Sequence, residues 1–196
     1  MMRRYWIAPL LAALVFVSAC ETGPEPDPTY EDAAMYQFTV SNYQAADRLL
    51  AGYRTAAVNN FSSAGGGTIL VATLVDISRL DRSSPFGRII SEQLISRIVQ
   101  TGRPVVEIKL SLDGVFVQNN NGEFMLTREV GKLAKSHNAG AVLVGTYAEG
   151  GRFVFVNLKL VNPDNNQVLS SYDYQLPVDK VVSRLLVDTN RQQRQR

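Results

Sequence analysis

The sequence has few residues suited to redox or metal chemistry. Among 196 residues it holds one cysteine, Cys20, and one histidine, His137. A single cysteine excludes an intramolecular disulfide and does not make a cysteine-based metal cluster. The chain also lacks an excess of either charge, since 20 Lys and Arg face 18 Asp and Glu, a net charge of +2. This balance does not indicate a dedicated nucleic-acid-binding protein, and we predict no nucleic-acid partner.

Motifs that carry catalysis or bind cofactors are also absent. His137 could serve in a serine–histidine–acid triad, but triads are defined by geometry, and its position near the end of a predicted helix favours a structural role. The glycines at 65–67 lack the lysine of a phosphate-binding loop. Residues 162–166, Asn-Pro-Asp-Asn-Asn, lack the glycine and distal glutamate of a calcium loop and predict a turn. We therefore expect no enzyme activity, no cofactor and no metal.

The hydrophobic runs are short. The run at 7–17 follows Arg3 and Arg4, as in a secretory signal, and is shorter than the roughly 20 residues of a spanning helix. It leads into Val-Ser-Ala-Cys, ending at Cys20, which resembles a bacterial lipobox. The resemblance implies that the Cys20 thiol receives a diacylglyceryl group, and that cleavage makes Cys20 the new, acylated N-terminus. One acyl chain anchors a protein only marginally, whereas several chains on one residue anchor it stably. The alternative is an ordinary signal peptide with an incidental cysteine.

Proline and acidic residues follow the cysteine. Alternating prolines between Glu21 and Pro28 favour an extended spacer of about 3.1 Å per residue, which would hold a domain away from the bilayer. Glu21, in place of the aspartate associated with inner-membrane retention, favours the outer membrane. Loss of the leader removes two arginines, so the mature charge is 18 − 18 = 0. We divide the chain into a lipoprotein signal peptide (1–19), a lipid anchor and Pro-rich linker (20–38), an α/β domain (39–178), and a short helix with a basic tail (179–196).

The remaining sequence alternates helical and strand patterns. Helical spacing begins near Val40, with Ser41 or Asn42 as the cap, and returns after Ser84-Pro85 and after Thr127. Strands are expected at 69–75, 105–110, 115–117, 123–126, 141–147, 153–160 and 169–176, and a short helix at 180–187. The fold class is α/β (α+β): a mixed sheet of about five strands with a C-terminal antiparallel meander, covered by two or three helices. A right-handed parallel crossover joins the first strands.

Two surface features are candidates for binding. Aromatic residues recur on the last strands, where they could stack a ligand, although cross-strand packing is the usual role of such residues: Phe153, Phe155, Tyr172 and Tyr174. The half-exposed strand at 105–110 and the polar loop at 118–122 are candidates for lateral contacts in an assembly.

Three stretches resemble the FlgO-type flagellar outer-membrane lipoprotein family. They read TILVATLVDISRLDRSSPFGRIISEQLISRIVQTGRPVVEIKL, GEFMLTREVGKLAKSHNAGAVLVGTYA and VFVNLKLVNPDNNQVLSSYDYQLP. The pattern extends from about residue 45 to 177 and is specific through the order and spacing of its short pieces: Gly87-Arg88, Ser91-Glu92-Gln93-Leu94, Gly122-Glu123-Phe124, Val144-Gly145-Thr146-Tyr147 and Ser170-Ser171-Tyr172. The resemblance implies a periplasm-facing, outer-membrane part of the flagellar basal body that is needed for motility and is not an enzyme.

Three functions stay open at this stage. The first is a structural lipoprotein that contacts flagellar basal-body or outer-membrane ring proteins, with self-association as an option. The second is a periplasmic lipoprotein module that regulates cell-envelope synthesis or secretion. The third, an envelope hydrolase using His137, lacks the required partners and geometry. Fold alone does not separate the first two, because one fold hosts many functions.

Overall fold

A computed structural model describes residues 30–58, 67–80, 83–108, 116–118 and 124–187. Cys20, the leader, the proline-rich segment, most of the glycine run and the basic tail lie outside these ranges. The described residues form four helices: α1 (Tyr30–Val58), α2 (Pro85–Gln100), α3 (Arg128–Ser136) and α4 (Lys180–Leu186). They form eight strands: β1 (Thr68–Ala72), β2 (Val75–Asp76), β3 (Val105–Ile108), β4 (Phe116–Gln118), β5 (Phe124–Leu126), β6 (Ala139–Gly150), β7 (Phe153–Val161) and β8 (Val168–Pro177).

The main sheet is mixed, as predicted. Its order is β3-β1-β6-β7-β8, with β2 beside β6. β1 pairs in parallel with β3 and with β6, whereas β6, β7 and β8 form an antiparallel meander. The separate hairpin of β4 and β5 confirms the predicted strand pair, while its turn lies outside the described residues.

Helices cover the two faces of the sheet unequally. On one face α1 packs against β7, β8 and α2, while α2 also contacts α4, and this side holds the larger apolar core. On the other face α3 contacts β6 over a smaller cluster that includes Val130, Ala134 and Val142. In the described part of the chain no helix is both long and apolar enough to cross a membrane.

The first helix is longer than the sequence predicted. It begins at Tyr30, so Ser41 and Asn42 lie inside it and the predicted cap at these residues is wrong. Residues 30–41 contain neither proline nor glycine, so nothing in the sequence interrupts the helix there. Asn42 is fully buried and bonds the neighbouring helix α2. Residues 30–38, assigned above to the linker, are therefore helical.

The predicted strand at 69–75 is interrupted. It forms β1 and β2, and both pair in parallel with β6. Between them the Leu74 N–H donates to Ser91 Oγ at 2.9 Å, and the Leu74 carbonyl accepts from Ser83 Oγ at 2.6 Å. Because these serines replace the missing sheet bonds, the buried backbone of Leu74 is satisfied outside the ladder.

The second and third helices start where the sequence placed them. Ser84 caps α2 by accepting from the Gly87 N–H, with Pro85 at the first helical position, and Gly102 follows the helix at φ +84°. Thr127 caps α3 by accepting from the Val130 N–H. His137, which the sequence places near the end of the predicted helix, is exposed. The helix ends at Ser136, so the His137 side chain lies beyond its last buried turn.

Candidate functional site

Strand register separates the four aromatic residues of β7 and β8. Val156 lies opposite Tyr174 and Phe155 lies opposite Gln175. Since neighbouring residues of a strand point to opposite faces, the tyrosines face α1 and the phenylalanines face away from it. The two tyrosine rings stack along their own strand, with centroids 6.1 Å apart. The four rings therefore do not form one aromatic cluster.

The side of the meander turned away from α1 is the candidate site, and we call it the open face. Its side chains are those of Thr146, Ala148, Phe153, Phe155, Asn157, Lys159, Ser171, Asp173 and Gln175. The nine-residue helix α3 packs at the β6 side of this layer. In the described residues no helix packs over the outward side of β7 and β8.

Two neighbouring hollows lie on the open face. One has a volume of about 530 Å³ and is bordered by Phe155, Asp173 and Gln175. The other has a volume of about 500 Å³ and is bordered by Leu80 and Val168. Both include Ile77, Thr146 and Asn157 in their walls, so together they form one groove along the strands.

Large apolar side chains are exposed around this groove. Ile77 is 57% exposed, and Phe155 and Val168 are each 50% exposed. Phe155 lies against Gly150, where an added Cβ would come within 2.6 Å of the ring. A cluster of exposed apolar side chains with a polar surround is typical of a protein-binding surface.

The polar groups of the open face are nearly neutral in sum. Lys159 and Asp173 carry opposite charges, and the Asn157 side-chain amide donates a hydrogen bond to Asp173 Oδ1. In the described residues no group of His, Cys, Asp and Glu is arranged to hold a metal. The near-neutral polar groups of the open face therefore suit binding to an uncharged or mixed surface.

A buried polar network lies on the opposite face and joins three elements. Asn42 of α1 donates to Gln93 Oε1 of α2 at 2.6 Å and accepts from the Tyr174 hydroxyl of β8. Gln93 donates in turn to Thr39 Oγ1 at 3.2 Å. Burial, with a smaller effect of Tyr172, raises the pKa of Tyr174 far above its usual range. The network therefore holds α1 and α2 against β8, and the Tyr174 hydroxyl in it stays protonated.

A second polar joint fixes the start of α2. The Tyr147 hydroxyl donates to Ser84 Oγ at 2.7 Å and accepts from the Ser84 N–H at 3.0 Å. Gly87 lies beneath this joint, where an added Cβ would be 2.4 Å from the Leu74 carbonyl oxygen. All buried side-chain nitrogen and oxygen atoms of the described residues have a hydrogen-bond partner. The joint is thus a closed packing contact without a spare polar group.

The short motif pieces noted in the sequence lie mainly at such packing contacts. Gly87, Ser91 and Tyr147 connect α2 to the sheet. Gly145 lets Leu74 and Leu158 approach, because a Cβ there would come within 2.8 Å of both. Ser170 faces Gly52 of α1, where a Cβ would be 2.3 Å from Ser170 Oγ. Packing therefore explains these pieces, whereas Gly122 and Glu123 of the remaining piece lie outside the described residues.

The other predicted sites are dispersed. His137 is exposed at the end of α3, and residues 162–166 form the predicted turn, closed by the Asn166 N–H donating to the Asn162 carbonyl at 2.9 Å. The strand expected at 105–110 is the sheet edge β3, described as far as Ile108. Sequence reasoning missed Ile77 and Asp173 as parts of a surface. The alternation of faces along β8 could have placed Asp173 on the outward side of the sheet. Ile77 lies in a loop after β2, where no such periodicity applies.

Fold and site together define an α/β domain with closed packing joints and an apolar sheet surface that none of the described helices covers. The chain belongs to the FlgO family: the family model described as FlgO protein matches residues 43–181. This match confirms the resemblance seen in the sequence. It supports an envelope lipoprotein module as the class of protein.

Solved structures of envelope proteins match the chain at low identity. The LpoB C-terminal domain from Salmonella enterica is 14% identical, with a TM-score of 0.45, over 70% of this chain and 98% of that chain. Lipoprotein GNA1162 from Neisseria meningitidis is 17% identical, with a TM-score of 0.42, over 59% and 83%. The PelC dodecamer structure from Paraburkholderia phytofirmans is 16% identical, with a TM-score of 0.39, over 61% and 82%. No curated protein matches the chain by sequence.

Proposed function

We propose that this protein is an outer-membrane lipoprotein that acts as a structural or assembly component of the bacterial flagellar basal body and is required for motility. The observation that carries the proposal is the FlgO family match over residues 43–181. In this proposal the domain faces the periplasm and acts through binding, without catalysis.

The anchor in this proposal is the acylated Cys20. Its lipid chains hold the protein in the membrane, and the proline-rich segment separates them from the domain. Helix α1, which spans 29 residues and about 43 Å at 1.5 Å per residue, then leads into the packed core.

The contact surface in this proposal is the open face. Its apolar groove and near-neutral polar groups suit a basal-body or outer-membrane ring protein better than a strongly charged partner. Helix α1 packs against β7 and β8 on the side opposite the groove, which supports a preformed binding surface.

A deletion strain tests the proposed role. Loss of the gene is expected to reduce swimming and to alter flagellar number or basal-body structure in electron micrographs, and a plasmid copy should restore both. Normal swimming with intact flagella would contradict the proposal. A cell-wall or secretion defect with intact flagella would favour the alternative, a periplasmic lipoprotein that regulates envelope synthesis or secretion, which the same uncovered surface also suits.

Two substitutions test the anchor and the absence of catalysis. Cys20→Ser is expected to abolish labelling by radioactive palmitate and to release the protein from the membrane fraction. An unlabelled native protein would contradict lipidation.

A strain with His137→Ala is expected to swim like the native strain, because the His137 side chain is exposed and lies outside the open face. A stable His137→Ala protein without motility would support the enzyme hypothesis instead.

A further inference from the structure

A second concave surface lies at the far end of α1, away from the open face. It has a volume of about 360 Å³ and is bordered by Arg54, Gly67, Thr101, Gly102, Arg103 and Pro104. These residues come from the last turns of α1, the residue before β1, and the connection from α2 to β3. None of the described residues that line it is acidic.

Both arginines of this hollow are held in place by uncharged groups. The Arg103 guanidinium carbon lies 4.9 Å from the centroid of the Tyr53 ring, and Tyr53 is fully buried. Arg54 Nε donates to the Leu50 carbonyl at 3.3 Å. Such restraint reduces the side-chain entropy that an arginine loses when it binds a ligand.

Neither arginine is paired with a carboxylate in the described part of the chain. Arg97 of α2 provides the contrast, since its guanidinium makes two hydrogen bonds to Asp47, each of 2.9 Å. Among the described residues, no carboxylate therefore neutralises the positive charge of Arg54 or of Arg103 beside the hollow.

The end of α2 opposes this charge only in part. Free carbonyls at a helix C-terminus carry partial negative charge, but here the carbonyls of Ile98 and Val99 are occupied. Thr101 Oγ1 donates to the Ile98 carbonyl at 2.7 Å, and the Gly102 N–H donates to the Val99 carbonyl at 2.9 Å. Gly102 leaves the hollow open, because an added Cβ there would meet nothing within 4 Å.

We propose that Arg54 and Arg103 form an oxyanion-binding site for a phosphate group. Guanidinium groups bind phosphate oxygens through paired hydrogen bonds. A phosphate monoester carries about −1.5 to −2 charges at pH 7, which matches two arginines, whereas a single carboxylate leaves one of them unpaired. The site is separate from the open face and does not depend on the proposed flagellar role.

Calorimetric titration of the full chain in detergent with inorganic phosphate tests the site. Arg103→Gln and Arg54→Gln are each expected to weaken phosphate binding about tenfold or more, because each removes charged hydrogen bonds. Arg103→Lys keeps the charge without the planar fork and should bind with intermediate affinity. Arg48→Gln is the matched control, since Arg48 is an exposed arginine of the same helix outside the hollow.

Three results would overturn the site. They are no phosphate binding by the native chain, an equal loss in Arg48→Gln, and sodium acetate binding as tightly as phosphate. If Arg103→Gln disturbs folding, as judged by its urea midpoint, the exposed Arg54→Gln variant decides the question alone.

Vesicles identify the source of the phosphate. Flotation with phosphatidic acid–phosphatidylcholine vesicles, which present a phosphate monoester, should use a Cys20→Ser chain, so that the anchor does not contribute. Flotation that Arg54→Gln and Arg103→Gln abolish would assign the site to a lipid headgroup. Phosphate binding without such flotation would assign it to a soluble phosphate-bearing ligand. Flotation unaffected by both substitutions, with no binding of phosphate, would contradict the site.

Discussion

At the scale of single residues, close approach between helix and sheet is controlled by glycine. Gly87 lies inside α2, where glycine ordinarily costs about 1 kcal/mol relative to alanine. Here its missing side chain admits the Leu74 carbonyl, the Ser83 hydroxyl and the Tyr147 ring, all within 2.8 Å of an added Cβ. The local preference for alanine is therefore overridden by tertiary packing.

Gly87→Ala is expected to destabilise the protein by about 2 kcal/mol, a typical cost of overpacking a tight contact. Gly131→Ala in α3 is the matched control, because an added Cβ there meets nothing within 4 Å. It should stabilise by about 0.5–1 kcal/mol. Urea unfolding of the two purified variants measures both changes. A Gly87→Ala protein as stable as the native chain would show that the joint is looser than described.

At the scale of elements, the helix-to-sheet arrangement depends on buried polar groups as well as apolar area. The Asn42 network ties α1, α2 and β8 together, and it also explains why a residue suited to capping lies within α1. The sequence predicted the elements themselves well, because apolar periodicity and the Ser84 and Thr127 caps are local signals. It did not predict the interruption at Leu74, because the bonds that permit it come from Ser83 and Ser91 in another part of the chain.

Alkaline pH should lower the free energy of unfolding, because the protein contains buried tyrosine hydroxyls. Burial raises the pKa of Tyr174 and of Tyr53, and the Arg103 charge opposes the shift at Tyr53. Above a pH of about 10 the unfolded chain loses these protons while the folded chain retains them, so the free energy of unfolding falls as pH rises. For each tyrosine, the free energy of unfolding falls by at most about 1.4 kcal/mol per pH unit.

Urea titrations between pH 8 and pH 11 measure this dependence. Tyr174→Phe is expected to be less stable at pH 8, because it leaves the buried Asn42 acceptor without the hydroxyl, and to show a shallower decline above pH 10. An unchanged decline in Tyr174→Phe would mean that this phenol does not set the alkaline limit.

At the scale of the whole molecule, the two sides of the meander differ in their packing. Residues facing α1 hold the domain together, and residues on the open face form the contact surface in the proposed function. The aromatic residues of β7 and β8 follow this division, with Tyr174 in the buried network and Phe155 half exposed.

Phe155→Ser is therefore expected to reduce swimming strongly while the protein stays folded and reaches the membrane in normal amount. Tyr36→Ser is the matched control, since Tyr36 is an aromatic of α1 that is 73% exposed and lies outside the open face, and it should swim normally. Swim plates, membrane immunoblots and near-ultraviolet circular dichroism report motility, amount and fold. A motile Phe155→Ser strain, or one lacking the protein, would remove the support for this surface.

Local chemistry in the sequence was enough to predict the mixed sheet, the meander, three of the four described helix starts and the family, because these depend on periodicity, caps and the order of short motifs. The lipidation of Cys20 stays a prediction from the sequence alone. The tertiary structure decided which faces are covered. Strand register and the short length of α3 decide whether Phe155 and Asp173 lie in one groove with Ile77. The packing of α1 near the α2–β3 connection places Arg54 and Arg103 beside the same hollow. Such arrangements join residues far apart in the chain, so no local pattern contains them.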